Sequence, residues 1–330
     1  MTHLSILDLA RIRQGFDARD ALDNARTLAR NAEGWGYQRI WFAEHHNMPG
    51  IASAATSLVI QHVAAGTERI RIGAGGIMLP NHAPLVVAEQ FGTLAHLFPG
   101  RIELGLGRAP GTGPETLRAL RRSPSSANDF PRDVAELQRY FAPDAAQDPV
   151  QAVPAAGTQV PIWILGSSTF GAQLAAELGL PYAFASHFAP DALLRALEIY
   201  RARFKPSAQL AEPYAVVGVN IVAADSDAEA RKLATTQQMS FADLLRGARS
   251  RSRPPIDDID AYWTQGEKEH AQHMLARSII GTPETVRQGI DALVKETGAD
   301  ELMVVSDIYD PEARLRSFEL IAACLDRTPA

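Results

Sequence analysis

The chain has almost no cysteine, and Cys324 is the single one in 330 residues. One cysteine cannot form an intramolecular disulfide, and such scarcity is typical of proteins that fold in a reducing compartment. We therefore expect a cytoplasmic protein. Cys324 lies in an apolar run, where a small core residue is the simpler interpretation and a reactive thiol is the alternative.

The sequence also lacks a strong excess of one charge and a long apolar run. Its net charge of −6 gives no electrostatic reason to expect binding to nucleic acid or to an anionic membrane surface. No stretch is apolar over the length that spans a bilayer, and the first residues lack the pattern of a signal peptide. With 46% hydrophobic residues, the chain can instead form a sizeable core.

Short β-rich runs alternate with helical patterns along the chain, which is typical of a parallel sheet. The predicted strands are residues 4–8, 39–43, 70–74, 102–106, 162–165, 182–185, 216–223 and 302–305. Eight strands, each followed by a helix, predict one closed (β/α)8 TIM barrel that spans residues 1–330 as a single domain.

Two stretches interrupt this alternation. Residues 111–131 are rich in Gly, Pro and Ser and predict a long loop at the rim of the barrel. Residues 241–274 carry several arginines, then Pro254-Pro255, then an acidic cluster. A long polar insertion of this kind predicts a mobile lid loop near the active face, with a partner-binding patch as the alternative.

The working residues of such barrels come from the carboxyl ends of the strands. Five consecutive predicted strands end in titratable, hydroxyl or glycine residues, namely Glu44-His45-His46, Gly75-Gly76, Gly107-Arg108, Ser167-Ser168 and Ser186-His187. Because these ends meet at one rim, the sequence predicts an active site there. His187 could enter the pocket or simply end the sixth strand, and both remain open.

Glu44, His45 and His46 allow three interpretations. Neighbouring residues on a strand point to opposite faces, so His45 and His46 would not easily bind one ion, and we predict no metal site. A carboxylate beside a histidine can instead tune a proton acceptor near neutral pH. The third possibility is a structural pair that closes the end of the barrel.

Glycines at the rim favour a flat ligand over a dinucleotide. Gly75-Gly76 removes side chains where a planar ring could approach the backbone, although a plain turn would use the same residues. Gly105-Leu106-Gly107-Arg108 looks like a dinucleotide loop, but that motif needs a helix to begin immediately, and Ala109-Pro110-Gly111 follows instead. The sequence therefore does not support a nicotinamide site of that type.

Arg108, Ser167 and Ser168 together predict a phosphate pocket. An arginine can bind a phosphate through two parallel hydrogen bonds. Ser167 and Ser168 precede a predicted helix, whose first amide groups attract anions, although ordinary N-capping by a serine would use the same position.

Taken in order, these motifs resemble those of the bacterial-luciferase-like flavin monooxygenases. The matching segments are Ala43-Glu44-His45-His46, residues 72–80, the arginine after Gly105-Leu106-Gly107, Ile164-Leu165-Gly166-Ser167-Ser168, and residues 281–286 and 299–304. The resemblance covers essentially the whole chain, which makes it more specific than any single motif. It implies an FMN-binding barrel and a homodimer.

The resemblance also assigns roles to residues. It implies that Glu44 and His45 lie beside the isoalloxazine ring and that His45 transfers protons. It implies a cis peptide at Gly75-Gly76 under the ring, phosphate contacts from Arg108 and Ser168 with Ser167 beside them, and a mobile loop at residues 241–274. Gly107 stands where luciferase has a cysteine, which puts a long-lived peroxyflavin and light emission in doubt.

These observations predict a two-component monooxygenase. A separate flavin reductase would supply reduced FMN, and dioxygen would oxidise a small organic substrate through a peroxyflavin, with His45 and Glu44 as catalytic residues. One alternative is a deazaflavin-dependent hydride-transfer enzyme on the same fold. The other is a flavin-binding barrel without turnover.

Overall fold

Eight parallel strands close into a barrel in the computed structural model, which describes residues 2–109 and 113–324. They are β1 (His3–Asp8), β2 (Arg39–Phe42), β3 (Arg71–Met78), β4 (Ile102–Gly107), β5 (Ile162–Gly166), β6 (Tyr182–Phe184), β7 (Ala215–Ala223) and, last in the chain, β9 (Glu301–Val305). Each strand pairs with the next, and β9 lies between β7 and β1 and closes the ring. The predicted (β/α)8 TIM barrel and its eight strands are confirmed.

A further strand, β8 (Ile279–Gly281), pairs with the end of β7 outside the ring and was not predicted. Helices follow the barrel strands. They are α1 (Ala18–Gly34), α2 (Thr56–Ala64), α3 (Pro84–Leu97), α4 (Pro114–Ala119), α5 (Phe130–Phe141), α6 (Thr169–Leu178), α7 (Leu193–Arg203), α8 (Asp227–Leu245), α9 (Gln265–Met274), α10 (Pro283–Thr297) and α11 (Pro311–Ala323). No helix within the described ranges is long and apolar enough to cross a membrane.

Local sequence explains where several helices begin and end. Ser226 caps α8 by accepting a hydrogen bond from the amide of Glu229, and Thr264 and Glu267 form a capping box at α9. Gly179 ends α6 in the left-handed region, with φ of 64°. The predicted loop over residues 111–131 is wrong where α4 forms. Residues 111 and 112 lie outside the described part.

Side chains of the barrel strands alternate between two apolar layers. Trp41 and Ala43 belong to the cluster inside the barrel, whereas Ile40 and Phe42 pack in the layer between strands and helices. Because successive strand residues point to opposite faces, the residues that follow β2 continue the two series. His45 therefore points into the barrel, as Trp41 and Ala43 do. Glu44 points outward, as Ile40 and Phe42 do.

A network of buried charges fills the amino end of the barrel. Arg39 pairs with Glu103 at 2.6 Å and with Glu301 at 2.9 Å. The indole of Trp41 donates to Glu103, and the hydroxyl of Tyr214 donates to Glu301. Every member thus has a polar partner, so this end is closed and the carboxyl-terminal rim is left for ligands.

The insertion at residues 241–274 is largely built from helices, since α8 extends into it and α9 lies within it. Between them, the backbone of Ser252 bonds to Ile12 and Gln14 beyond β1, and Arg249 donates to the carbonyl of Asn47 beyond β2. The segment thus crosses two loops at the rim of the barrel. Its mobility remains a prediction.

Candidate active site

Glu44 has four hydrogen-bond partners at the rim, which are His46, His82, Met78 and Gly76. It lies two positions beyond β2, is fully buried, and faces away from the barrel axis. The Nε2 atoms of His46 and His82 lie 2.6 Å and 2.8 Å from its Oε1, and the backbone amide of Met78 donates to Oε2 at 3.1 Å. Its own amide donates to the carbonyl of Gly76. Glu44 therefore joins the end of β2 to the segment formed by the end of β3.

The two histidines determine the charge of Glu44. Burial alone would raise the pKa of this carboxyl, but the hydrogen bonds from His46 and His82 lower it to about 2. The bond to Glu44 in turn raises the pKa of His46. Glu44 is therefore an anion at neutral pH. The sequence analysis did not single out His82, whose only signal was its place just after the motif at residues 72–80.

Glu44, His46 and His82 are also the residue types that bind metals, and their ligand atoms lie within 4.8 Å of one another. Their contacts are hydrogen bonds of normal length, and both carboxylate oxygens already have donors. The arrangement is explained without an ion, and the expectation that the protein has no metal site stays a prediction.

His45 lies on the other side of the strand, toward the mouth of the barrel. Burial lowers its pKa, and the positive charge of Arg11 lowers it further. Arg11 is itself paired with Asp307 at 2.8 Å. The buried Nδ1 of His45 lies near the carbonyl of Ala43 but makes no hydrogen bond of normal geometry. His45 is therefore a neutral imidazole at neutral pH, and it shares no hydrogen bond with Glu44.

Gly75 and Gly76 lie at the end of β3, next to the segment that carries His45. The peptide bond between them is cis, which confirms the prediction. A Cβ atom on Gly75 would lie 2.7 Å from Leu7, and one on Gly76 would lie 2.7 Å from the carbonyl oxygen of Gly105. Both distances are too short for real contacts, so only glycine fits this close packing.

Arg108, Ser167 and Ser168 come together at the first turn of α6. The guanidinium carbon of Arg108 lies 4.0 Å from the ring centre of Phe170, which belongs to that turn. Ser168 occupies the N-cap position, but its side chain makes no capping hydrogen bond. The ordinary capping role is therefore not realised, and the exposed hydroxyls and the helix N-terminus remain available to an anion.

Known structures share this architecture. The chain superposes on the crystal structure of apo-MsnO8 with a TM-score of 0.88 at 33% identity, over 100% of both chains. Two structures below 25% identity share the fold alone. One is the oxygenating constituent of 3,6-diketocamphane monooxygenase from Pseudomonas putida in complex with FMN, with a TM-score of 0.72. The other is an F420-dependent secondary alcohol dehydrogenase with an F420–acetone adduct, with a TM-score of 0.71.

Sequence relatives agree with the fold. The chain is 54% identical to a luciferase-like monooxygenase of Escherichia coli K12, over 96% of this chain and 95% of that protein. It is 30% identical to the N-acetyl-S-alkylcysteine monooxygenase of Bacillus subtilis, over 98% of each. The luciferase-like monooxygenase family model matches residues 2–301. The chain therefore belongs to the luciferase-like monooxygenase family, as its motifs indicated.

Proposed function

We propose that this protein is the oxygenase component of a two-component monooxygenase that uses reduced FMN and dioxygen to oxidise a small organic substrate. One observation carries the proposal. The barrel mouth combines a neutral inward imidazole, His45, with the side-chain-free Gly75-Gly76 surface and the anion-binding groups around Arg108.

The residues present fit FMN at both of its ends. A planar ring can approach backbone that carries no side chains, and the resemblance implies that the ring lies over the cis peptide of Gly75 and Gly76. A phosphate needs positive charge and hydrogen-bond donors. Arg108, the Ser167 and Ser168 hydroxyls and the first amides of α6 supply them. When bound, the flavin would supply the activation of dioxygen.

His45 and Glu44 have different proposed roles, proton transfer for His45 and positioning of the glycines for Glu44. A neutral imidazole can accept a proton at a ring nitrogen at neutral pH, so His45 is the residue that would move a proton beside the ring. Glu44 stays ionised and makes no contact with His45. It binds the amide of Met78 and donates to the carbonyl of Gly76, so it would act by holding the glycine surface in place.

A separate flavin reductase is the expected functional partner. The strand that carries the dinucleotide-like glycines, β4, ends at Gly107, and the next helix among the described residues is α4, which begins at Pro114. A nicotinamide site of the kind found in dinucleotide-binding folds needs the helix to begin directly after the strand. We further propose that the protein is a cytoplasmic homodimer and that residues 241–274 act as a lid over the mouth.

A deazaflavin cofactor is the second candidate, because a fold neighbour holds an F420 adduct and because deazaflavin also has a tricyclic ring and a phosphate. This alternative would make the protein a hydride-transfer enzyme. The pocket residues named above fit either cofactor, so oxygen chemistry has to distinguish them.

The test mixes the protein with reduced FMN without oxygen, then adds dioxygen and follows absorbance and oxygen consumption. As the first probe we choose N-acetyl-S-methylcysteine, because the Bacillus subtilis relative is named for N-acetyl-S-alkylcysteine. We expect a transient absorbance that free FMN does not give. Reoxidation indistinguishable from that in buffer, together with binding of reduced F420, would favour the deazaflavin enzyme. The same reoxidation without F420 binding would leave a barrel without turnover.

A further inference from the structure

His187 lies inside the mouth of the barrel, three residues beyond β6. Its Nδ1 would lie only 2.5 Å from a Cβ atom on Gly218, so the imidazole occupies the space that a side chain there would need. Val216 belongs to the interior cluster, whereas Val217 and Val219 belong to the outer layer, so Gly218 faces the inside of the barrel. The ring of His187 therefore lies on the inward surface of β7.

The surrounding residues hold His187 in this position. The side-chain amide of Asn220 donates to the carbonyl of His187 at 2.5 Å and accepts from Gln237 of α8 at 2.7 Å. The hydroxyl of Ser186 donates to the carbonyl of Gly218 at 2.5 Å. These bonds tie the end of β6 to β7 and α8, so the imidazole is placed by a built network rather than by a loose loop.

The ring nitrogens of His187 are unused within the part of the chain that the structure describes. Its Nδ1 is buried, and neither nitrogen has a hydrogen-bond partner among residues 2–109 and 113–324. Burial lowers the pKa of His187 to about 4, with a further contribution from His45. The ring is therefore neutral, with one donor and one acceptor to offer. A buried polar nitrogen without a partner is unfavourable, and such groups call for a reason, of which a ligand that completes the bond is one.

His187 and His45 stand on opposite walls of the barrel. In a ring of eight strands, β2 and β6 are four strands apart, so residues that follow them lie on opposite sides of the mouth. On one side between them lies β4, where Gly105 and Gly107 carry no side chains. A Cβ atom on either glycine would lie 3.1 Å from Leu165 or Met78, so both positions are packed against side chains of the neighbouring strands.

We propose that His187 contacts the substrate, and that it forms the wall of the site opposite the flavin-side residue His45. This inference rests on the proposed function, in which the ring of FMN lies on Gly75-Gly76. A neutral imidazole offers a hydrogen bond but no charge compensation. The part of the substrate nearest the reacting atom is thus an uncharged hydrogen-bonding group, such as a carbonyl, a hydroxyl or a thioether.

Chemical modification of the wild-type protein tests this placement without knowledge of the substrate. Diethyl pyrocarbonate acylates neutral imidazoles, and peptide mapping by mass spectrometry reports each histidine separately. His96, exposed on α3, serves as the reference for reagent activity. We expect both His45 and His187 to react in the protein alone. Saturating FMN should slow the acylation of His45 by about tenfold or more. It should slow the acylation of His187 by less than about threefold.

Each outcome decides the question. A His187 that fails to react in either state lies in a closed environment, and one that FMN protects as strongly as His45 lies on the cofactor side. Either result overturns the proposal. If FMN does not slow the acylation of His45, the proposed cofactor site is wrong. The acylation of His187 in the protein alone still reports, separately, whether His187 lies in an open or a closed environment.

A variant adds a second measurement. His187→Phe keeps an aromatic ring but removes both nitrogens, and we expect its affinity for FMN to stay within about twofold of wild type. A tenfold loss of FMN affinity in a variant with an unchanged thermal transition would assign His187 to the cofactor, contrary to the proposal.

Discussion

The amino and carboxyl ends of the barrel differ in how their polar side chains are partnered. At the amino end, Arg39, Glu103 and Glu301 are buried, and each charge has an opposite charge as a direct partner. At the carboxyl end, His45 and His187 keep buried nitrogens without hydrogen bonds, and Arg108 has no ion-pair partner among the residues that the structure describes. Both ends contain polar groups inside an apolar barrel, so burial alone does not identify a site.

The comparison teaches that the two ends differ in charge pairing, because single buried atoms without a hydrogen bond, such as the indole nitrogen of Trp163, also occur near the amino end. A buried charge network that is fully paired can close one end of a barrel, and it leaves nothing for a ligand. Groups left without partners are costly unless a ligand completes them. Glu44 is the instructive exception at the rim, because it is fully partnered there by His46, His82 and Met78. It resembles the amino end, and we assign it a positioning role.

The largest effect is expected from Arg39→Met. The substitution leaves Glu301 buried without a cation and Glu103 with only the half-exposed Arg71, so the free energy of unfolding should fall by about 3–5 kcal/mol. Urea denaturation measures it. Arg71→Met is the matched control, because Arg71 is half-exposed and lies 3.4 Å from Glu103, and it should cost less than about 1 kcal/mol. Equal costs would mean that burial of the Arg39 ion pairs does not determine how much they contribute to stability.

Acid should weaken the Glu44 cluster. Since the pKa of Glu44 in the folded protein is lowered to about 2 from an ordinary value of 4.5, its stabilising contribution is present above pH 4.5 and is lost as the pH falls toward 2. The loss is about 3 kcal/mol at most. Denaturation curves from pH 6 to pH 3 should show a smaller decline for Glu44→Gln than for wild type. Parallel declines in the two proteins would mean that Glu44 does not carry the effect.

His45→Ala should slow substrate oxidation without loss of fold. Loss of a proton-transfer group costs about 100-fold in rate, which is ~2.7 kcal/mol in transition-state free energy. The measurement is probe-dependent oxygen consumption with N-acetyl-S-methylcysteine at saturating reduced FMN, with the exposed His96→Ala as control. Undiminished oxidation in His45→Ala would exclude the proton-transfer role.

The smallest effect is expected from Arg108→Gln. Arg108 is exposed, so the loss of one charge-assisted contact should weaken FMN binding about tenfold, or ~1.4 kcal/mol. Quenching of flavin fluorescence gives the affinity, and riboflavin, which lacks the phosphate, should bind wild type and variant equally. Arg195→Gln on α7 is the control. If the substitution lowered the affinities for FMN and riboflavin equally, Arg108 would lie away from the phosphate.

The sequence by itself determined the barrel strands, most of the helices and which residues lie at the rim of the barrel. Short β-rich runs, each followed by a helical pattern, predicted the eight strands, because such runs are local and do not depend on distant contacts. The alternation of side chains along a strand is a second local rule. The same alternation separated His45 from His46, and the family resemblance predicted the cis peptide at Gly75-Gly76. β8 was not predicted, and it pairs with the end of β7 outside the ring of eight strands.

Only the tertiary structure decided which rim residues meet. His82 binds Glu44 from 38 residues away, and Gly218 leaves room for His187 from the neighbouring strand. These contacts arise when the barrel closes and the loops after different strands take their paths, so no local pattern encodes them. Barrel closure therefore gives both carboxylate oxygens of Glu44 a hydrogen-bond partner. Among the described residues it leaves the ring nitrogens of His187 without one. That difference separates the residue we assign to holding the site from the one we assign to the substrate.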